Sequence, residues 1–263
     1  MCGIFGYFCN SEVDIQNVLE LLKILEKDKL KGEETHVGGH GAGICFLDGS
    51  GNIMVHKVGK TNSSPAKNLS SFRDLTQQKS RIILGHVRHA SSELMYTIEY
   101  AEATQPYKVN CLGLEVISAH NGYVRNYTMM KDNLKEKHQF ESEKIGFVDS
   151  EVIPHLFEEK LMTYRDEAEA GKKTWQTLEG NNAAVLLSLT GNTRLLHLLH
   201  KGHSRGMHVW KNNKGEIILC SREKPLRQVF DNLLKEGAFE KILSIEWRVD
   251  KEAYQVYEIT QLW

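Results

Sequence analysis

The chain has 263 residues, a formal net charge of −1, and a composition 41% hydrophobic and 25% charged. That length can bury one sizeable core or two small ones, and the near-zero charge excludes electrostatic capture of nucleic acid or of an acidic membrane surface. No apolar run approaches the roughly 20 residues that span a bilayer, and the N-terminus lacks the basic and apolar regions of a secretory leader, so a cytoplasmic protein is expected.

In chain order, residues 3–8 predict a short apolar strand with Cys2 at its edge. Asn10 and Ser11 offer a cap for an amphipathic helix through about Lys31, whose apolar positions Val18, Leu19, Leu22 and Leu25 recur at helical spacing. Glycines 38, 39, 41 and 43 mark irregular backbone or close packing. Residues 41–47 and 53–58 flank the turn Asp48-Gly49-Ser50-Gly51-Asn52 and read as a hairpin. Residues 82–88 and 114–119 are further strands, joined by a long polar stretch, 89–113, of the kind that is functional or mobile. Helices are predicted over 126–137, 150–161 and 166–178, then strands over 183–189, 194–199, 207–211 and 216–220. A helix near 224–235 and two strands, 242–247 and 254–259, complete the pattern. Strands come in hairpin groups with helices between groups, which predicts a layered α+β protein of mainly antiparallel sheets. No linker or repeat divides the pattern, so residues 1–263 are expected to form a single domain.

The five cysteines, Cys2, Cys9, Cys45, Cys111 and Cys220, are scattered and form no CxxC pair, which fits reduced thiols better than a disulfide framework. Four of them read as core residues. Cys2 differs, because removal of Met1 would give it a free amine with a reference pKa of about 7.7–8.0, a general base for its own thiol. The alternative is a buried cysteine without chemistry.

Three segments supply partners for that thiol. Gly85-His86-Val87-Arg88-His89-Ala90-Ser91 ends a strand with an arginine able to clamp a carboxylate, or to serve as a surface ion-pair residue. His120-Asn121-Gly122 reads alone as a tight turn, yet its amide and the Gly122 N–H are two donors of the kind a tetrahedral oxyanion requires. Asp149 or Ser150, at the start of a helix, reads as an N-cap, and the Asp149 carboxylate could instead hold the α-ammonium group of an amino acid. His197, His200 and His203 suggest a metal site, but on a strand His197 and His200 would point to opposite faces, so no metal is expected. No phosphate loop of the GxxxxGK[ST] type is present.

In this order, Met1-Cys2-Gly3-Ile4-Phe5-Gly6, residues 85–91, Ala119-His120-Asn121-Gly122 and Asp149-Ser150-Glu151-Val152-Ile153 resemble the class II, N-terminal nucleophile glutamine amidotransferases. Members include glucosamine-6-phosphate synthase and amidophosphoribosyltransferase. Thr104-Gln105-Pro106-Tyr107 also looks like this family, and the likeness spans roughly residues 2–225. The resemblance implies a four-layer αββα sandwich, the N-terminal nucleophile hydrolase fold. It implies Cys2 as nucleophile, Asn121 and Gly122 as oxyanion hole, Arg88 for the glutamine carboxylate and Asp149 for its amine. Ser91 and His89 would line the substrate pocket. Two places depart from the family pattern: Val37-Gly38-Gly39-His40-Gly41-Ala42-Gly43, which lacks an arginine, and His89, where relatives often carry Trp or Tyr.

The implied reaction is hydrolysis of L-glutamine to glutamate and ammonia through a Cys2 thioester, without a cofactor. With no synthase domain expected in 1–263, the ammonia would pass to a separate synthase or synthetase subunit. A free-standing glutaminase, an N-terminal nucleophile acylase on another amide, and a glutamine-sensing module without turnover are the alternatives.

Overall fold

The computed structural model describes residues 2–29, 32–189, 193–203, 206–246 and 249–263. Met1, the predicted helix end at Lys31 and the predicted strand end at Trp247 lie outside them. In chain order the elements are β1 (Gly3–Asp14), α1 (Ile15–Lys27), β2 (Gly41–Leu47), β3 (Ile53–Gly59), α2 (Pro65–Leu69), α3 (Arg73–Thr76), β4 (Lys79–Arg88), β5 (Tyr107–Val109) and β6 (Val116–Val124). There follow α4 (Tyr127–Leu134), α5 (Val152–Tyr164), α6 (Glu167–Thr177), β7 (Gly180–Ser188), β8 (Leu195–Lys201), β9 (Met207–Lys211), β10 (Ile217–Cys220), α7 (Glu223–Glu236), β11 (Glu240–Ile245) and β12 (Ala253–Glu258).

The strands form a seven-stranded sheet, ordered β11-β9-β10-β1-β4-β2-β3, and a five-stranded sheet, ordered β12-β8-β7-β6-β5. Neighbours in both sheets pair antiparallel. Strand periodicity partitions the core into three apolar layers. Ile4 and Phe8 of β1, Ile82 and Leu84 of β4, and Ile117 and Ala119 of β6 fill the space between the sheets. Phe5 and Tyr7, with Ile83 and Val87, face α1 and α7. Val116, Val124 and Leu186 face α4, α5 and α6 on the far side. The result is a four-layer αββα sandwich.

The differences from the sequence reading are local and have physical causes. Asn10 and Ser11 belong to β1, which runs through an irregularity between Phe8 and Val13, so α1 starts only at Ile15. Two helices between β3 and β4 escape the apolar periodicity because they are one turn long; Pro65 starts the first, and Ser64 Oγ accepts from Lys67 N at 3.3 Å. Gly41 and Gly43 lie in regular β2, and the reason for glycine is close approach: a Cβ at Gly43 would strike the Gln105 carbonyl, and one at Gly41 the Thr104 side chain. Among the described residues no helix is long and apolar enough to cross a membrane.

Candidate active site

The apolar layer between the sheets ends at one edge of the sandwich, and polar side chains continue its two-residue alternation. Below Ile4 comes Cys2; beyond Ile82 and Leu84 come His86 and Arg88; beyond Ile117 and Ala119 comes Asn121. Three inner-face series thus converge without any special loop. Cys2, Arg88, His89, Ser91, Asn121, Gly122 and Asp149 all line one cavity of about 430 Å³. Every site residue expected from the sequence is therefore brought to one place.

The Cys2 nitrogen donates to Asn121 Oδ1 at 3.2 Å, and the His89 N–H donates to Cys2 Sγ at 3.4 Å. With the Asn121 oxygen held by Cys2, the NH2 end of that amide is the one suited to a substrate oxygen. Asn121 and Gly122 are not in a turn: β6 runs on to Val124, paired with β7. Glycine is required at 122 because a Cβ would collide with the Asn181 carbonyl and the His120 ring.

Arg88 is buried, and its guanidinium is fixed by Thr97, with Nη2 donating to Oγ1 at 2.6 Å and Nη1 to the carbonyl at 3.3 Å. Burial lowers its pKa from the ordinary value, opposed by the Coulombic pull of Cys2, Tyr107 and Asp149. Asp149 does not cap α5. Its Oδ2 accepts from the Val124 N–H at 2.8 Å, which aims the carboxylate across to β6. Burial raises its pKa from 3.8 to about 6, against backbone donors that stabilise the anion.

Several buried polar residues to which the sequence reading gave no role in the site hold this frame. Gln105 clamps the His120 peptide from both sides: the His120 N–H donates to Oε1 at 2.6 Å, and Nε2 donates to the His120 carbonyl at 3.1 Å. The His120 ring lies between Ser150 Oγ at 2.8 Å and Asn182 Oδ1 at 2.9 Å. Since Asn182 Oδ1 can only accept, Nε2 carries the ring proton and Ser150 donates to Nδ1. His86 Nε2 is 3.2 Å from the His120 carbonyl, and burial drives its pKa down to about 3, so it is neutral. The available signal was a run of polar types (Gln105, His120, Ser150, Asn182) at positions that apolar periodicity assigns to the interior.

The two departures from the family pattern meet in space. The rings of His40 and His89 stack at 4.6 Å, and the Ala90 N–H donates to His40 Nδ1 at 3.0 Å. Burial and the neighbouring His89 push the His40 pKa down to about 4. The His197, His200 and His203 group does not converge: His197 Nδ1 faces the Tyr254 hydroxyl at 3.1 Å, and His200 Nδ1 the Lys251 carbonyl at 2.6 Å.

A model of the class II glutamine amidotransferases matches residues 1–237. The chain belongs to that family. It is 28% identical over 196 residues to the glutamine–fructose-6-phosphate aminotransferase of Sulfolobus acidocaldarius, covering 74% of this chain and 29% of that protein. It is 27% identical over 194 residues to the amidophosphoribosyltransferase of Pyrococcus horikoshii, covering 71% and 36%. The chain thus spans about a third or less of the curated relatives it matches. A solved structure of the glutamine phosphoribosylpyrophosphate amidotransferase of B. subtilis has a TM-score of 0.63 at 19% identity, covering 98% of this chain and 49% of that one. That likeness identifies the fold as the one shared by amidotransferases of this class.

Proposed function

We propose that this class II amidotransferase hydrolyses L-glutamine to glutamate and ammonia at the Cys2 cavity. The observation that carries the proposal is convergence: a thiol from the residue before β1, two potential oxyanion donors from β6, an arginine from β4 and a carboxylate from the turn before α5 line one cavity of about 430 Å³. Arg88 and Asp149 offer opposite charges for the α-carboxylate and α-ammonium groups of a free amino acid. Glutamine held between them directs its side-chain amide to Cys2 Sγ.

In this reading Sγ attacks the amide carbon, and the Cys2 amine, freed by loss of Met1, takes the thiol proton. The carbonyl oxygen gains negative charge and is stabilised by the Asn121 side-chain amide and the Gly122 N–H. Collapse expels ammonia, which leaves with the proton returned by the Cys2 amine. Water then attacks the γ-glutamyl thioester by the same acid–base route and releases glutamate. Ser91 and His89, at the cavity wall, shape the space beside the thiol.

The relatives are named for transfer of glutamine nitrogen to fructose 6-phosphate or a phosphoribosyl acceptor, which supports delivery of ammonia to an acceptor enzyme as the biological use. Ammonia release from L-glutamine by the mature chain tests the catalytic reading. Wild type should turn over, glutaminamide and N-acetylglutamine should be inert, and Cys2→Ala should be silent. Equal ammonia release from wild type and Cys2→Ala would defeat the proposal. Intact mass spectrometry tests the base, since retained Met1 would turn the amine into an amide nitrogen.

A further inference from the structure

On the outer side of the five-stranded sheet, four side chains with metal-binding atoms meet: Cys111, His138, His155 and Glu158. They come from the segment after β5, the segment after α4, and one turn of α5. The sequence gives little warning, since the single local signal is the i,i+3 spacing of His155 and Glu158.

Four of the six separations between these atoms are close to those of a tetrahedral shell. His138 Nδ1 and His155 Nδ1 lie 3.0 Å apart, and Glu158 Oε2 is 3.4 Å from the first and 3.5 Å from the second. Cys111 Sγ is 3.7 Å from His155 Nδ1, and all four ligand atoms lie within 4.8 Å of one another. Tetrahedral zinc, with its usual bond lengths, separates nitrogen and oxygen ligands by about 3.3 Å and sulfur from nitrogen by about 3.6 Å.

The hydrogen bonding does not account for this cluster without a cation. His138, His155 and Glu158 have fully buried side chains, and Glu158 Oε2 has no hydrogen-bond partner, while Oε1 accepts from the Leu112 N–H at 3.1 Å. One imidazole can donate to the other, and Glu158 Oε2 then stands 3.4 and 3.5 Å from the two rings as a long ion-pair contact without a hydrogen bond. The surroundings favour coordinated ligands. The Gln139 N–H donates to Cys111 Sγ at 3.4 Å, as suits a thiolate. The far nitrogens of the two rings face carboxylates, His138 Nε2 toward Glu159 at 3.5 Å and His155 Nε2 toward Glu151 at 3.9 Å. Neither contact is a hydrogen bond, but each places a carboxylate on the side of the ring that favours a proton on Nε2, which leaves Nδ1 for a metal. The Phe140 ring packs against His155 at 4.6 Å.

We infer that Cys111, His138, His155 and Glu158 form a structural Zn²⁺ site distinct from the glutamine cavity. One thiolate, one carboxylate and two neutral imidazoles neutralise a divalent cation, so the buried shell carries no net charge. Mixed sulfur, nitrogen and oxygen ligation with four protein donors selects zinc and fills its tetrahedral shell, which excludes a catalytic water. The metal ties two segments to the helix that starts at Val152, just after Asp149 and Ser150.

Metal analysis of the full chain after loading with zinc and exhaustive dialysis tests the site. About one zinc per chain is expected in wild type, with little in Cys111→Ser or Glu158→Gln. Chelator-stripped wild type reloaded with Co²⁺ should show intense tetrahedral visible bands and a thiolate charge-transfer band that Cys111→Ser lacks. Circular dichroism keeps a folding defect separate from loss of a ligand. Glu159→Gln, outside the shell, should weaken zinc binding by on the order of tenfold to a hundredfold without abolishing it. A folded wild type that retains neither zinc nor cobalt, or that binds them no better than Cys111→Ser, overturns the assignment and leaves a buried His–Glu hydrogen-bond network.

Discussion

Cys2 and Cys111 are the two part-exposed thiols of this chain, and both stand near histidines, yet their surroundings are opposite. Around Cys2 the cavity presents mainly donors, the His89 N–H, the Cys2 nitrogen, the Asn121 NH2, the Gly122 N–H and the Arg88 guanidinium, with the His89 carbonyl as an acceptor 3.6 Å from Sγ. Around Cys111, apart from the Gln139 N–H, they are mainly lone pairs: two imidazole nitrogens and a carboxylate oxygen. A thiol among donors is arranged for a carbonyl whose oxygen becomes negative. A thiol among acceptors is arranged for a cation. Residue type alone does not separate the two; the polarity of the neighbours does. The other three cysteines have neither environment. They are buried, and desolvation pushes the Cys45 and Cys220 thiols up to about 12.

The widest separation of the two thiols comes from removing each. Cys2→Ala should lower ammonia release by at least about a thousandfold, with the fold intact, because among the described residues no second thiol lines the cavity. Next, Asn121→Ala should lower kcat for glutamine by about 10²–10³-fold with a smaller change in KM, since its donor acts when the oxyanion forms. Steady-state kinetics reads both, and a pure KM effect would reassign Asn121 to ground-state binding.

Asp149→Asn should part function from stability. Its folded-state pKa of about 6 lies above the ordinary 3.8, so the cost of ionising the buried group accumulates as pH rises from about 4 to about 6 and is complete above that. The substitution should therefore raise stability at pH 7–8 by roughly 2–3 kcal/mol, a gain that shrinks to nothing as pH falls from 6 toward 4. Glutamine affinity should fall in the same variant, and in wild type below about pH 6, as the partner of the ammonium group is neutralised. Denaturant titrations across that range check the sign. The smallest effect on catalysis is expected from Cys111→Ser, which should lower the thermal midpoint of zinc-loaded protein and change ammonia release far less than Cys2→Ala. Equal losses of activity in the two variants would erase the distinction drawn here.

The two sites also differ in how much of them could be read in advance. Cys2, Arg88, Asn121-Gly122 and Asp149 each sit in a short stretch whose type and order are recognisable. Strand periodicity explains why the first three share the space between the sheets. Their supporting shell was less legible: Asn121-Gly122 read as a turn and Asp149 as a cap because dipeptide preferences are local, whereas pairing with β7 and the Val124 N–H overrides them. Gln105 acts through the His120 peptide, 15 residues away, and nothing in its own segment announces that contact. Cys111 reads as one more core cysteine and no metal is expected there, because its partners lie 27 to 47 positions on, in two separate segments.

By itself, the sequence determined the alternation of apolar and polar residues along each strand, the antiparallel layering that follows, and the family to which the chain belongs. It also placed a thiol, an arginine, an amide and a carboxylate at the ends of those elements. Only the tertiary structure decided which ends meet, because that depends on how two sheets and two helical layers stack across long chain separations. The same stacking set His40 against His89 and closed four scattered side chains around a point where a cation fits. Local periodicity is a property of neighbours along the chain, and a coordination shell is a property of packing.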